Sequence, residues 1–294
     1  MLKFSIPLFA AVLFAQSPPA FEAASVKPAS TQSVRLHGGP GTSSPGQLTG
    51  VATLKALIER AYEMKPYQVS APGWMDSARY EIAAKIPPHA TRQQADAMLR
   101  TLLTERFHLA AHRETREMPI LQLAIAKNGS KLKESTADPM PAAEAETPVD
   151  TPKFITGGDG LPELAPGAKL SRSYLAMIAG SDGVRVKLWA HQETIAKLVE
   201  DLSSYLNRSV SDRTGLAGRY DFTLDWAMDT AGGGIPRTGP PPDMIDSFSG
   251  PIGVNESTTI FAALQSQLGL RLDQKKGPVE ILIVDSADKV PAGN

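Results

Sequence analysis

Gly218-Arg219-Tyr220-Asp221-Phe222-Thr223-Leu224-Asp225-Trp226 alternates apolar and polar residues, with Tyr220, Phe222, Leu224 and Trp226 on one side. That period of two marks a half-buried strand. About 140 residues earlier, Arg79-Tyr80-Glu81-Ile82-Ala83-Ala84-Lys85 opens on the same Arg-Tyr-acid triplet and alternates Tyr80, Ile82 and Ala84. Each run is preceded by a turn containing glycine, Gly73-Trp74 or Gly215-Leu216. Further upstream, Leu54, Leu57, Ile58 and Ala61 fall at helical spacing behind Thr53, as do Ile195, Leu198, Val199 and Leu202 behind Thr194, a one-sided apolar stripe behind an N-cap residue. Aligned, Leu54, Leu57, Val69, Tyr80 and Ile82 match Ile195, Leu198, Val210, Tyr220 and Phe222. An internal repeat constrains architecture more than any single motif.

The rest of each half extends the pattern. Thr91 and Gln94 form a capping-box signature before a second helix to about Glu105, with Ala95, Met98, Leu99, Leu102 and Leu103 as its stripe. The counterpart runs from Thr258 to Leu268 and is stopped by Gly269, the residue type that favours a left-handed C-terminal cap. Short strands are expected at Phe21–Lys27, Tyr67–Val69, Ser173–Ala179, Val184–Ala190 and Ser209–Asp212. A hairpin closes each half: one turns at Arg113–Pro119, the other at Lys275-Lys276-Gly277. The fold class is therefore α+β, two similar βαββαβ-type modules with a flexible linker. The organisation reads as a signal peptide at 1–20, a first module at 21–127, a linker at 128–167 and a second module at 168–294, interrupted by an inserted loop at 229–255 rich in Gly and Pro.

Composition bounds the function. The 294 residues are 42% hydrophobic and 21% charged with a formal net charge of -1, which gives no electrostatic footprint for nucleic acid. Lys3 followed by the apolar run Phe4–Ala15 reads as an export signal cut after Ala15 or Ala20, too short to span a bilayer. Once it is removed, no stable membrane span is expected, and the place of action is the periplasm or outside the cell. The chain has no cysteine, so neither disulfides nor thiolate metal sites hold it together.

Larger blocks carry a resemblance. They are Phe21-Glu22-Ala23-Ala24-Ser25-Val26-Lys27-Pro28; Ala71-Pro72-Gly73-Trp74; Met98-Leu99-Arg100 through Arg106-Phe107; Asp212-Arg213-Thr214-Gly215-Leu216 with Gly218-Arg219-Tyr220-Asp221; and Ala263-Leu264-Gln265 through Leu268-Gly269-Leu270, then Lys276-Gly277-Pro278-Val279-Glu280. In these the chain resembles an uncharacterised, exported, soil-associated bacterial family, a domain of unknown function. Each half also resembles the small N-terminal domains of secretins and TonB-dependent transducers, although no pore or barrel follows. The resemblance implies export and a sensing or interaction role, with a periplasmic or envelope protein as partner.

No catalytic set competes with that reading. His108 and His112 are four apart, but on a strand that spacing leaves them about 13 Å apart, too far to share one ion. The glycine clusters at Gly38–Gly41 and Gly157–Gly160 lack the Lys-Ser or Lys-Thr of a phosphate loop. Asp212-Arg213 and Arg219-Asp221 flank the Gly215–Gly218 turn. They read either as a charge-fixed hairpin or as an anion pocket built on two arginines. Trp74 reads as a core cap or a ligand anchor. The candidates for ligand or partner binding are Trp74, Arg79, Asp212, Arg213, Arg219 and Asp221. No catalytic residue, metal or cofactor is assigned. The alternative is an extracytoplasmic hydrolase using a cleft between the modules.

Overall fold

The computed structural model describes residues 18–31, 33–136, 153–156, 162–168, 170, 173–180, 183–228 and 259–293. The first 17 residues of the expected signal peptide, the Gly157–Gly160 cluster and the whole 229–255 loop lie outside the described residues, as do 137–152 of the expected linker. The fold is mixed α+β. The described residues divide into two compact units. One holds the chain up to Met64, Ala71–His112 and the segment from Val284; the other holds Lys65–Ser70 and Arg113–Ile283.

The first unit is built on an antiparallel sheet of β1 (Ala23–Pro28), β2 (Arg35–Gly38), β3 (Gln47–Thr53) and β5 (Arg79–Lys85), in the order β1-β5-β3-β2. Alternation on β5 buries Tyr80, Ile82 and Ala84, as the period of two requires. Thr53 caps α1 (Leu54–Ala61), its hydroxyl accepting from the N–H of Ala56 at 3.2 Å. Thr91 and Gln94 close the capping box of α2 (Arg92–Phe107). Tyr80 meets Phe107 edge-on with ring centroids 4.8 Å apart. The Tyr80 hydroxyl donates to the Lys289 carbonyl at 2.6 Å. The N–H groups of Asp288 and Ala292 bond the carbonyls of Phe107 and Arg106, so the C-terminal segment closes over this core.

The second unit has two four-stranded sheets around one core. One sheet runs β10-β11-β13-β7, from β7 (Lys133–Glu134), β10 (Tyr174–Gly180), β11 (Gly183–Thr194) and β13 (Arg219–Met228). The other runs β12-β6-β14-β4, from β4 (Val69–Ser70), β6 (Ala110–Ile125), β12 (Val210–Asp212) and β14 (Leu270–Ser286). The same core takes in α3 (Ile195–Tyr205) and α4 (Ile260–Ala263), the latter continuing as a π-helical turn to Leu268. Ile195, Leu198, Leu202, Leu123, Val186, Leu224, Ala263 and Leu264 are among the buried residues of this core. Within the expected linker, β7 pairs with β13, while β8 (Phe154–Thr156) pairs with β9 (Pro162–Leu164).

The element order β3-α1-β4-β5-α2-β6 recurs as β11-α3-β12-β13-α4-β14. The registers recur with it: Thr53 faces Arg79 and Ala52 faces Tyr80, while Thr194 faces Arg219 and Glu193 faces Tyr220.

Three expectations are corrected. Tyr67 and Gln68 belong to a 3₁₀ turn, Pro66–Gln68, which leaves only Val69–Ser70 extended; Pro66 sets the helical φ at the start of that turn. His108 is not on a strand but is the left-handed cap of α2, at φ 46°. The two closing hairpins do not form, because β6 and β14 are single strands of 16 and 17 residues that lie side by side. Their polar stretches are exposed strand rather than turn. Gly277 sits where a Cβ would lie 2.6 Å from the Ile120 side chain; close approach, not chain reversal, explains the glycine.

Candidate functional site

The six candidate residues do not form one site. Trp74 is half-buried in a 3₁₀ turn, where its carbonyl accepts from Ser77 and Ala78. The Arg79 Nε is buried without a hydrogen-bond partner among the described residues. Asp212 on β12 and Arg219 and Asp221 on β13 belong to different sheets, since β12 pairs with β6 and β13 with β11; Arg213 follows β12 directly and lies in no strand. The charge-fixed hairpin is therefore corrected: β12 and β13 are not paired with each other, and among the described residues Asp221 has His191 rather than an arginine as its ion-pair partner. Asp212 instead accepts from the N–H and hydroxyl of Thr214 at 2.7 and 2.8 Å, a local side-chain turn. Arg213 is exposed, and its backbone N–H donates to the Leu123 carbonyl.

Arg219 and Asp221 do come together, with partners that the sequence reading missed. Between Ala190–Phe222 and Glu193–Tyr220 the ladder slips, so that His191 and Gln192 stand opposite Asp221. This is a β-bulge, which re-aims side chains and interrupts pairing. Gln192 adopts φ 50°, a conformation few residues other than glycine take. One oxygen of Asp221, Oδ1, receives the Gln192 N–H at 2.8 Å and the His191 Nδ1 at 3.0 Å. Arg219 donates to the Gln192 carbonyl at 3.3 Å. The Ser173 hydroxyl donates to the buried Glu193 carboxylate and accepts the His191 N–H at 3.1 Å.

Partial burial would raise the Asp221 carboxyl. The Gln192 N–H, the Ser135 hydroxyl and His191 outweigh it and hold the group below its ordinary value. The His191 ring meets the Asp221 carboxylate through Nδ1. The polar groups of the bulge otherwise bind one another, so the arrangement positions strands more than it presents reactive atoms. One signal could have found it: the alternation Val184, Val186, Leu188, Ala190 breaks into His191-Gln192-Glu193 before the capping Thr194.

Other polar features are separate. His108 and His112 each pair with their own carboxylate, Asp288 at 2.6 Å and Asp285 at 2.9 Å. No group of three or more His, Asp or Glu residues is placed to hold a metal among the described residues. A shallow depression of about 750 Å³ lies on the first unit's sheet, lined by Ala23, Ser25, Gln47, Thr49, Ala83 and Lys85 among others. None of the six candidates borders it. No described helix is long and apolar enough to cross a membrane.

Residues 55–287 match the model of a family described as Protein of unknown function (DUF3738). The chain belongs to this family. The DUF3738 region begins inside α1, ends one residue past β14, and takes in the bulge together with all six candidates. No curated protein and no solved structure matches the chain.

The strand edges differ sharply within this region. β10, Tyr174-Leu175-Ala176-Met177-Ile178-Ala179-Gly180, lies at a sheet edge with no charge and no proline along seven residues. Leu175 and Met177 are 55% and 46% exposed. They stand opposite Leu188 and Val186 of β11, which are buried.

Proposed function

We propose that this chain is an exported, non-catalytic binding or interaction module of the cell envelope, composed of two duplicated βαββαβ modules, whose partner adds a strand to β10. The uncharged β10, the end strand of its sheet among the described residues, carries the reading. An edge strand ordinarily protects itself with charge, proline or brevity. The other edges of the four-stranded sheets do so: β1 with Lys27 and Pro28, β2 with Arg35, and β4, β7 and β12 by being three residues or fewer. An unprotected edge suits strand addition, in which backbone hydrogen bonds supply affinity and alternate side chains supply selectivity. Export rests on Lys3 and the apolar run to Ala15, and duplication on the recurring element order and registers. The envelope partner, the soil-associated origin and the likeness of each half to secretin and TonB N-terminal domains belong to the same proposal.

The test is binding of a labelled, uncharged peptide of alternating apolar residues. Wild-type protein binds it, and Met177→Lys, which places a charge on the edge at an already exposed position, does not. Equal binding by both proteins would sink the reading. A reporter active only outside the cytoplasm, fused after Ala20, tests export.

A hydrolase reading has one observation in its favour, the Ser173 hydroxyl hydrogen-bonded to the Glu193 carboxylate beside a His–Asp pair. Against it, the N–H of His191 is bound to Ser173 and that of Gln192 to Asp221, so neither is open to stabilise an oxyanion. Failure of a serine-reactive phosphonate to label Ser173 in folded protein is the expected result.

A further inference from the structure

We infer that the β8–β9 hairpin is a self-capping strap, and that the place its Phe154 takes on Trp189 is a binding site for an extended acidic peptide segment carrying an aromatic residue. The inference is independent of the β10 edge. Along β11 the core takes Val184, Val186 and Leu188, so Arg185, Lys187 and Trp189 point to the opposite face of the sheet. Arg185 is exposed there, and so is Thr223, which stands opposite Trp189 on β13. Trp189 on the same face is 6% exposed. Phe154 accounts for the difference. Its ring centroid lies 4.8 Å from that of Trp189 and 6.0 Å from that of Tyr174, the residue opposite Trp189 on β10.

The strap is a separate piece with a small foothold. β8 and β9 pair with each other as a two-stranded sheet of their own, outside the ladder of the four-stranded one. A hairpin with three residues in each strand is not stable by itself. Ile155, next to the anchoring Phe154, is 47% exposed. The strap also supplies a ring without a matching charge. The Lys187 ammonium lies over the Trp189 ring, 5.5 Å from its centre, a cation–π contact. Arg185 follows on the same face and pairs with Asp225 at 2.8 Å. The residue before Phe154 is Lys153, a like charge. A segment with an acid beside its aromatic residue sets the ring on Trp189 and the carboxylate on Lys187, about 7 Å along the strand. It gains a charge-assisted contact that the strap lacks.

A site filled by the chain's own segment binds a partner only through the fraction of molecules in which that segment has left. The probe is a fluorescein-labelled peptide with one phenylalanine between two glutamates, titrated into the full chain without its signal segment. Phe154→Ala should bind it about tenfold more tightly than wild type, because the competing ring is gone. Its tryptophan emission should shift to the red as Trp189 meets water. Lys187→Glu added to Phe154→Ala should lose the probe and take up the version with lysines in place of the glutamates. Equal affinity of wild type and Phe154→Ala, or no binding by either, overturns the inference. So does a probe that binds whatever the charge at position 187. Met177 faces the core-side residue Val186, on the other side of the sheet, so Met177→Lys should leave this binding unchanged, and its loss there also counts against the site. Failure here therefore leaves the β10 reading standing, and failure of the β10 reading leaves this one.

Discussion

Glu59 and Asp221 show how opposite surroundings set opposite pH responses. Burial raises the Glu59 carboxyl from 4.5 to about 7, with Lys55 opposing and Asp76 adding to the shift. The unfolded chain releases this proton near the ordinary value, whereas the fold keeps it until about 7. Through that window the fold binds the extra proton, so its stability declines as pH rises and levels off above. Glu59→Gln removes the penalty. Thermal melts of variant and wild type should converge near about pH 4, with the variant the more stable at about pH 8. A gap of equal size at both values would refute the assignment. Asp221 behaves in reverse, since its folded carboxyl lies below the ordinary 3.8. Its contribution is present at neutral pH and is lost as pH falls through the folded value. Asp221→Asn should therefore lower the melting temperature at neutral pH and lose that difference in strong acid. A deficit undiminished in acid would show that the carboxylate charge is not what Gln192 and His191 recognise.

At the scale of elements, glycine substitutions separate two kinds of requirement. Gly277 is not among the positive-φ residues, and what crowds it is the Ile120 side chain. Gly277→Val should cost about 1–3 kcal/mol by overpacking, and Ile120→Ala in the same chain should recover part of that loss. No recovery in the double variant would return Gly277 to the turn that its Lys-Lys-Gly context suggests. Gly269 is different: it ends the π-helical turn at φ 67°, and a Cβ there would lie 2.2 Å from the Gly129 carbonyl. That clash is with backbone, so Gly269→Ala should destabilise more and resist rescue. The sequence made the helices legible, because Thr53, Thr91, Thr194 and the apolar stripes act locally. It also made the strand alternation of β5 and β13 legible. It misread β6 and β14, because a polar run inside a long exposed ribbon has the composition of a turn. The bulge stayed hidden for a related reason. His191-Gln192-Glu193 looks like the end of a strand until the register with β13 shows it continuing.

At the scale of the whole chain, the sheet β12-β6-β14-β4 alternates strands from the two halves of the sequence. β4 and β6 precede residue 137; β12 and β14 follow residue 152. Every neighbouring pair in that sheet thus joins an early segment to a late one, including the parallel pairs Val69–Leu282 and Leu121–Val210. No periodicity in the sequence could announce this, since periodicity reports which face of an element is buried and not which strand lies beside it. Each half read alone looks able to close on itself. The C-terminal segment follows the same rule, since Asp288 and Ala292 bond Phe107 and Arg106 while Lys289 receives the buried Tyr80. A protease site placed within 137–152 and cut in the folded protein should therefore leave the two pieces associated, with the native mass and a single cooperative melt. They should part only in denaturant and recombine when it is removed. Early and late pieces that elute separately under native conditions would show that the alternating sheet does not hold the chain together.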